Sequence, residues 1–392
     1  MSTRNPSRVR ITAVPEPSTW AMALVSLAGG GYLVRGRRKR HPRGRSIAIA
    51  ASLVLLVATV FTGRAHAEVL TFTNYTTDNG LGSNFVRGVY ATGGKVYAAT
   101  TGGLGISADG GANWTNYNSE NGLPTDSIFC VYVSGSTIYA GTDFAGLSIS
   151  TNAGANWTTY TGVGNDRIRG IYAVGGSIYA ATLGGVSIST NGGATWTTYT
   201  TTNGLASDGV EGVYVTGSTI YAATDSGVSI SNNNGTSWIN SGTANGLGSD
   251  YAWSVYATGT TIYAATEGGL GVSTNGGANW TNYTSANGLG SDFVRGVYAS
   301  GSTIYAAFDS GEPGGVSISA DGGASWTTST TTNGLGSNQV LGVYAVGSTV
   351  YAATRGGLSI GIAAVPEPST YCLALAGLAC GGFSMWRRRR RV

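Results

Sequence analysis

Most enzymatic chemistry needs residue types that this chain lacks in usable places. Its two histidines, His41 and His66, both lie near the N-terminus, and only one cysteine, Cys130, falls between residues 68 and 364. No Ser-His-Asp triad, Cys-His dyad, Cys/His zinc site or internal disulfide can be assembled from that stretch. Carboxylates, tyrosines and arginines remain. Glu211, Glu267 and Asp225 are the acids that could serve a carboxylate-dependent glycoside hydrolase or polysaccharide lyase, two of them flanking a scissile bond. Cys130 stands where sister segments carry glycine or serine, so it reads as a small packed residue and not a reactive thiol. No cofactor and no metal are expected.

The charge balance narrows the partners. Of 22 Lys and Arg, 11 lie before residue 65 and five are Arg387 to Arg391, so the formal charge of +4 belongs to the ends. Between residues 68 and 364 six basic residues face 16 acidic ones, a balance of −10. Such a body is repelled by phosphate backbones, and nucleic acid is not an expected partner.

The elements that must position these residues form a repeat. A tyrosine in the first apolar run of each unit falls at 90, 132, 172, 214, 256, 298 and 344, giving seven units of 40 to 46 residues. Each unit holds four short runs rich in Val, Ile, Tyr and Thr, separated by Gly, Asn and Ser turns, and none has a helical period. Four strands per unit of this length make a propeller blade. The last unit stops after its third run, and Leu70 to Tyr75 aligns with the missing fourth, Phe72 taking the tryptophan place. The expectation is an all-β, seven-bladed propeller over residues 68–364, closed by its N-terminal strand, which removes the open edge. A β-solenoid is the competing architecture, but it has no need of complementary half-units.

Alignment of the units with one another separates framework from free positions. One free position reads Arg87, Phe129, Arg169, Glu211, Trp253, Arg295 and Leu341, and another, two residues earlier, includes Phe85, Arg167, Tyr251 and Phe293. Strict alternation would put both on one face near the start of the channel-lining strand. A third, after the second strand, reads Thr101, Asp143, Leu183, Asp225, Glu267, Asp309 and Arg355. Together they predict a rim of aromatic, arginine and acidic side chains, suited to sugar faces, hydroxyls and uronates. The candidate ligand residues are Arg87, Phe129, Arg167, Arg169, Glu211, Tyr251, Trp253 and Arg295. The alternative is that these side chains only fill the channel mouth or face solvent.

Six units carry Ser-x-Asp/Asn-x-Gly-x-x-Trp, with Asp109, Asn152, Asn191, Asn233, Asn275 and Asp321 at the third place. These resemble Asp-boxes, a structural device in which the carboxylate or amide accepts from turn amides and the indole fills space between blades. Asp-boxes occur in sialidases and in many non-enzymatic propellers. A sialidase is disfavoured, because its arginine-isoleucine-proline type signature is absent. The first half of each unit, such as Asn287 to Asp292 with Tyr263 to Thr266, also resembles propeller repeats in sensor regions of bacterial hybrid two-component proteins.

The ends are sorting signals. Residues 41–67 read as a signal peptide: Arg43 and Arg45, an apolar run from Ser46 to Thr62, then Ala65-His66-Ala67; a retained anchor is the alternative. Residues 365–392 carry Pro366, Glu367 and Pro368, 17 residues of apolar character from Thr370 to Trp386, and five arginines. This resembles the PEP-CTERM sorting signal, which implies a transmembrane helix with cytoplasmic arginines and recognition by an exosortase in a Gram-negative bacterium that makes exopolysaccharide. An ordinary C-terminal anchor is the other reading. A second such segment occupies residues 1–40, ahead of the signal peptide, and is read as a mis-called start or a remnant of a neighbouring frame.

Together these features predict an exported, exosortase-sorted, non-catalytic propeller that binds polysaccharide or a surface protein at its top rim and meets the membrane only through its tail. The alternatives are the carboxylate-dependent enzyme and a structural spacer.

Overall fold

The structure is a computed structural model that describes residues 70–310 and 313–362. The N-terminal segment, the signal peptide and the sorting tail expected above lie outside the described residues, as does the expected transmembrane helix. Among the described residues no helix is long and apolar enough to cross a membrane.

Seven four-stranded antiparallel sheets follow one another around a ring. The first blade runs Val86–Thr92, Lys95–Thr100, Gly103–Ser107 and Thr115–Tyr117 from the axis outward, and the others repeat it. The seventh takes three strands from Val340–Val346, Thr349–Thr354 and Gly357–Ile362, and its outermost from Phe72–Tyr75. The closing pair is in the expected register, with Phe72 opposite Gly361 and Tyr75 opposite Leu358. The innermost strands of the first and last blades also touch, so the ring has no gap.

Alternation makes each blade two-faced, and its apolar residues meet those of the next blade. The core is therefore seven clusters between blades, such as Tyr221, Val228, Ile230 and Leu247 with Val255, Ile262 and Trp280. Near the axis the blades approach so closely that small residues are required. A Cβ on Gly170 would meet the Gly212 Cα at 3.2 Å. Cys130 is the largest exception, and its neighbour compensates: Gly141 stands where the other blades have alanine, and a Cβ there would lie 2.5 Å from the Cys130 sulfur. Burial pushes this thiol up to about 12, consistent with a packed residue.

The segment between blades explains the repeat's Asn-Gly-Leu-x-Ser-Asp signature, for which the sequence alone gave no role. In the first copy Asn79 Oδ1 accepts from the Thr76 amide at 2.9 Å, and Gly80, at φ 98°, ends the short turn. Leu81 is buried between blades, and Asn84 Oδ1 accepts from the Thr77 amide. Asp208, Asp250 and Asp292 do the same in later copies, at 2.6 Å. The acids are thus spent on orphan turn amides.

The six Ser-x-Asp/Asn-x-Gly-x-x-Trp turns share one network. Ser107 Oγ accepts from the Gly111 amide at 2.8 Å and donates to Asp109, which accepts from the Asn113 amide at 2.9 Å. Trp114 and Trp280 donate to the turn glycine's carbonyl. Asparagine makes the same contacts at Asn152, Asn191, Asn233 and Asn275, since only an acceptor oxygen is needed.

Two outcomes follow. Gly141→Ala should overpack the site and cost about 1–3 kcal/mol, whereas Cys130→Gly with Gly141→Ala restores the glycine-alanine pair found in five of the other six blades and should recover most of the loss in a denaturant melt. Asp109 is lowered to about 2, chiefly by the Asn113 side-chain hydrogen bond, and Asp321 is lowered by Ser325. A depressed carboxylate stabilises the fold above its unfolded pKa, near 3.8, and the stabilisation is lost as pH falls towards 2. Between pH 4 and 2 the midpoint of thermal unfolding should fall more in the native chain than in Asp109→Asn/Asp321→Asn.

Candidate functional site

Every innermost strand has the same irregularity at its start. Register shifts between Val86 and Gly88, and at the matching place in all seven blades, so one residue per blade lies outside the ladder. The extra residues are Arg87, Phe129, Arg169, Glu211, Trp253, Arg295 and Leu341. A bulge re-aims its side chain, and here all seven line one cavity of about 530 Å³. This differs from the strict alternation expected from sequence, because a bulge interrupts the two-residue period. Of the position two residues earlier only Phe85 and Arg167 reach the cavity, and of the third free position only Asp143, Asp309 and Arg355.

Tyr251 is not part of the lining. It backs the site instead, with its ring 4.4 Å from that of Trp253 and its hydroxyl 3.3 Å from Glu211 Oε1. Burial, and then the Glu211 charge, push its phenol up to about 12. Glu211 is itself buried and lies 3.8 Å from Arg169.

The electrostatics of the mouth run against those of the body. All five arginines between residues 68 and 364 line the cavity, leaving only Lys95 elsewhere. Against them stand Asp143, Glu211 and Asp309, a local balance of +2 in a stretch that carries −10. Arg87 pairs with Asp143 at 3.3 Å, and Arg355 meets Asp309 with two nitrogens at 3.1 Å. Arg167 and Arg295 make no side-chain hydrogen bond or ion pair with a described residue. They lie over aromatic rings, Arg167 at 4.0 Å from the Phe144 centroid and Arg295 at 3.5 Å from that of Trp253, contacts that hold a guanidinium plane in place. Burial lowers the Arg295 pKa, opposed by Glu211 and Asp309.

Each carboxylate in the cavity therefore faces an arginine. Asp225 and Glu267, the acids a hydrolase or lyase would add to Glu211, are outside the lining. Among the described residues no group of His, Cys, Asp and Glu could hold a metal ion.

The cavity ends at Val89 and its counterparts, one residue before the tyrosines that mark the repeat. Those seven tyrosines form a closed belt across the channel. Tyr90, Tyr132, Tyr172, Tyr214, Tyr256, Tyr298 and Tyr344 each touch two neighbours, with centroids 4.6 to 5.0 Å apart all the way round. Seven centroids at that spacing sit only about 5.5 Å from the axis, before ring thickness is subtracted, a separation usual for packed aromatics. The belt is thus the narrow floor at which the lined cavity stops. The spacing of these tyrosines counts the units, and their invariance across units is the signal of a shared role.

The PEP-CTERM protein-sorting motif matches residues 13–39 and again residues 364–391. The chain carries two PEP-CTERM sorting motifs. The second marks it as a sorted propeller, a substrate for exosortase processing. In fold, this sorted propeller is similar to the extracellular domain of a hybrid two-component system from B. thetaiotaomicron, at 18% identity and a TM-score of 0.65 over 76% of this chain and 42% of that one. It therefore spans about two fifths of that structure. YCF48 from Cyanidioschyzon merolae is similar at 14% identity and a TM-score of 0.57, over 74% of this chain and 98% of that one. A GH74 enzyme of Niastella koreensis matches at 20% identity and 0.51, over 77% and 44%. No curated protein matches the sequence.

The belt has a spectroscopic consequence. Burial pushes Tyr214 up to about 12 and raises Tyr132, Tyr256 and Tyr344 further. A raised phenol stabilises the fold below its unfolded pKa of 10.0, and that contribution is lost as pH rises through the folded value. Phenolate absorbance in the native protein should therefore show a late class that ionises only near pH 12 or on alkaline unfolding, and Tyr214→Phe should remove one phenol from it.

Proposed function

We propose that this protein is an exported, cell-surface propeller, sorted by an exosortase, that binds a component of the extracellular matrix, polysaccharide or surface protein, at the mouth of its ring. The observation that carries the reading is the collection of every arginine of residues 68–364 in one cavity lined with Phe85, Phe129 and Trp253. Folding alone gives no reason to gather them, since the blades are held by apolar clusters and turn hydrogen bonds elsewhere. Aromatic faces with fixed guanidinium groups are what a binding site for sugars or peptides requires.

The sorting motifs support export, as does the signal peptide assigned to residues 41–67. We read residues 68–364 as the exported domain and residues 365–392 as the tail that the exosortase acts on. Residues 1–40 are read as outside the mature protein. The cavity's carboxylates are engaged by arginines, which favours binding over hydrolysis.

The test is retention of the purified full-length protein on immobilised exopolysaccharide and on a panel of surface proteins, with released sugar assayed in the same wells. Trp253→Ala removes a cavity wall and should reduce retention at least tenfold, with no reducing or unsaturated ends released by either protein. Sugar release by the native chain would replace this reading with an enzyme, and absence of retention on every surface would leave a spacer.

A further inference from the structure

The cavity is rich in donors and poor in acceptors. Arg167 and Arg295 make no side-chain hydrogen bond or ion pair with a described residue, and the buried indole nitrogen of Trp253 has no acceptor; Arg169 Nε sits 3.8 Å from Glu211 Oε2 in an ion pair but makes no hydrogen bond. A buried donor without a hydrogen-bond acceptor is costly, so a lining that holds one beside two unpaired guanidinium groups is complementary to something that brings acceptor oxygens. Four outer-turn indoles are also unpaired, but they lie away from this cavity and beside no guanidinium.

Three features say what kind of acceptor fits. The local balance of +2 asks for an anion. Arg295 is laid over the Trp253 indole and Arg167 over Phe144, so each guanidinium plane is fixed before a ligand arrives, the condition for two-point recognition of a carboxylate. Phe144 is 63% exposed and lies outside the lining itself, beside it under the Arg167 guanidinium, so part of its ring is free to meet a ligand. The third feature is the floor: the lined cavity stops at the tyrosine belt, which favours insertion of an end or a side branch over passage of a polymer.

We propose that the mouth is a preformed anion site that takes a single terminal or pendant uronate residue of an acidic polysaccharide, its carboxylate held by Arg295 and Arg169 and its ring edge against Phe144 and Arg167. The proposal rests on the binding reading above and narrows its polysaccharide branch. Specificity comes from the carboxylate, because a neutral sugar of the same shape leaves the arginines and the unpaired donors unanswered.

The experiment is calorimetric titration of the full-length protein with galacturonic acid, hexagalacturonate and their carboxyl-reduced counterparts, galactose and hexagalactose. A glutamate hexapeptide serves as the protein-like anion. The acidic sugar should bind at least tenfold tighter than the neutral one, and its affinity should fall with added salt. Lengthening the probe from one residue to six should gain less than about tenfold, since only one residue enters a cavity that stops at the belt. Arg295→Gln should abolish the preference for the acid while its melting curve stays close to that of the native chain, and Lys95→Gln should change nothing. Equal affinity for acidic and neutral sugars would overturn the anion assignment while leaving polysaccharide binding intact. Tighter binding of the hexapeptide than of hexagalacturonate would overturn the sugar assignment and move the partner to an acidic protein segment. A gain of several orders of magnitude with probe length would show a groove binder and overturn the single-residue geometry.

Discussion

Everything in this molecule follows from how closely seven innermost strands converge on one axis. At the narrow end of each wedge there is room for a glycine, an alanine or a serine, and one cysteine fits only because the facing alanine has become Gly141. That crowding sets the small-residue framework of the repeat. Just before it each strand bulges, releasing one residue from the ladder towards the channel. Just after it each strand sends a tyrosine into the belt. The same constraint thus produces a crowded collar with a variable rim on one side and an invariant floor on the other.

This division also explains how the chain distributes its charge. Acidic residues are used along the whole body, most visibly as acceptors for turn amides, where asparagine serves in some copies and aspartate in others. Arginine has no such structural duty in any repeat. Its appearance only at the rim is therefore a departure from the repeating pattern, and in a repetitive protein a departure marks what the repeat itself does not explain.

Much of this was legible in the sequence. Spacing of the tyrosines counted the blades, and the missing fourth run of the last unit, matched by Leu70 to Tyr75, placed the closure. What could not be read was the bulge, because the extra residue leaves no compositional mark when Val86 and Gly88 look like ordinary members of an alternating strand. Alternation likewise puts Tyr251 on the rim, whereas it stands behind it, against Glu211. The belt was hidden differently: each tyrosine is unremarkable within its own blade, and a role appears only when seven neighbours are brought into a circle. Pairings such as Arg355 with Asp309 join different blades and depend on how the rim curves, which spacing does not encode.

The seventh blade gives the ring a history as well as a shape. Phe72–Tyr75 and Gly357–Ile362 are the first and last strands of the propeller to be synthesised, so their pairing joins the two ends of the fold and cannot form until the whole body has been made. Until then six complete blades stand as an open arc, with an unpaired edge and an apolar face at each end, the exposure that makes partly made β proteins prone to associate. The final strand ends at Ile362, immediately before the second sorting motif begins at residue 364. Ring closure and emergence of that motif are therefore nearly simultaneous in chain time, so a propeller that presents its tail for sorting is one that has just acquired the means to finish folding.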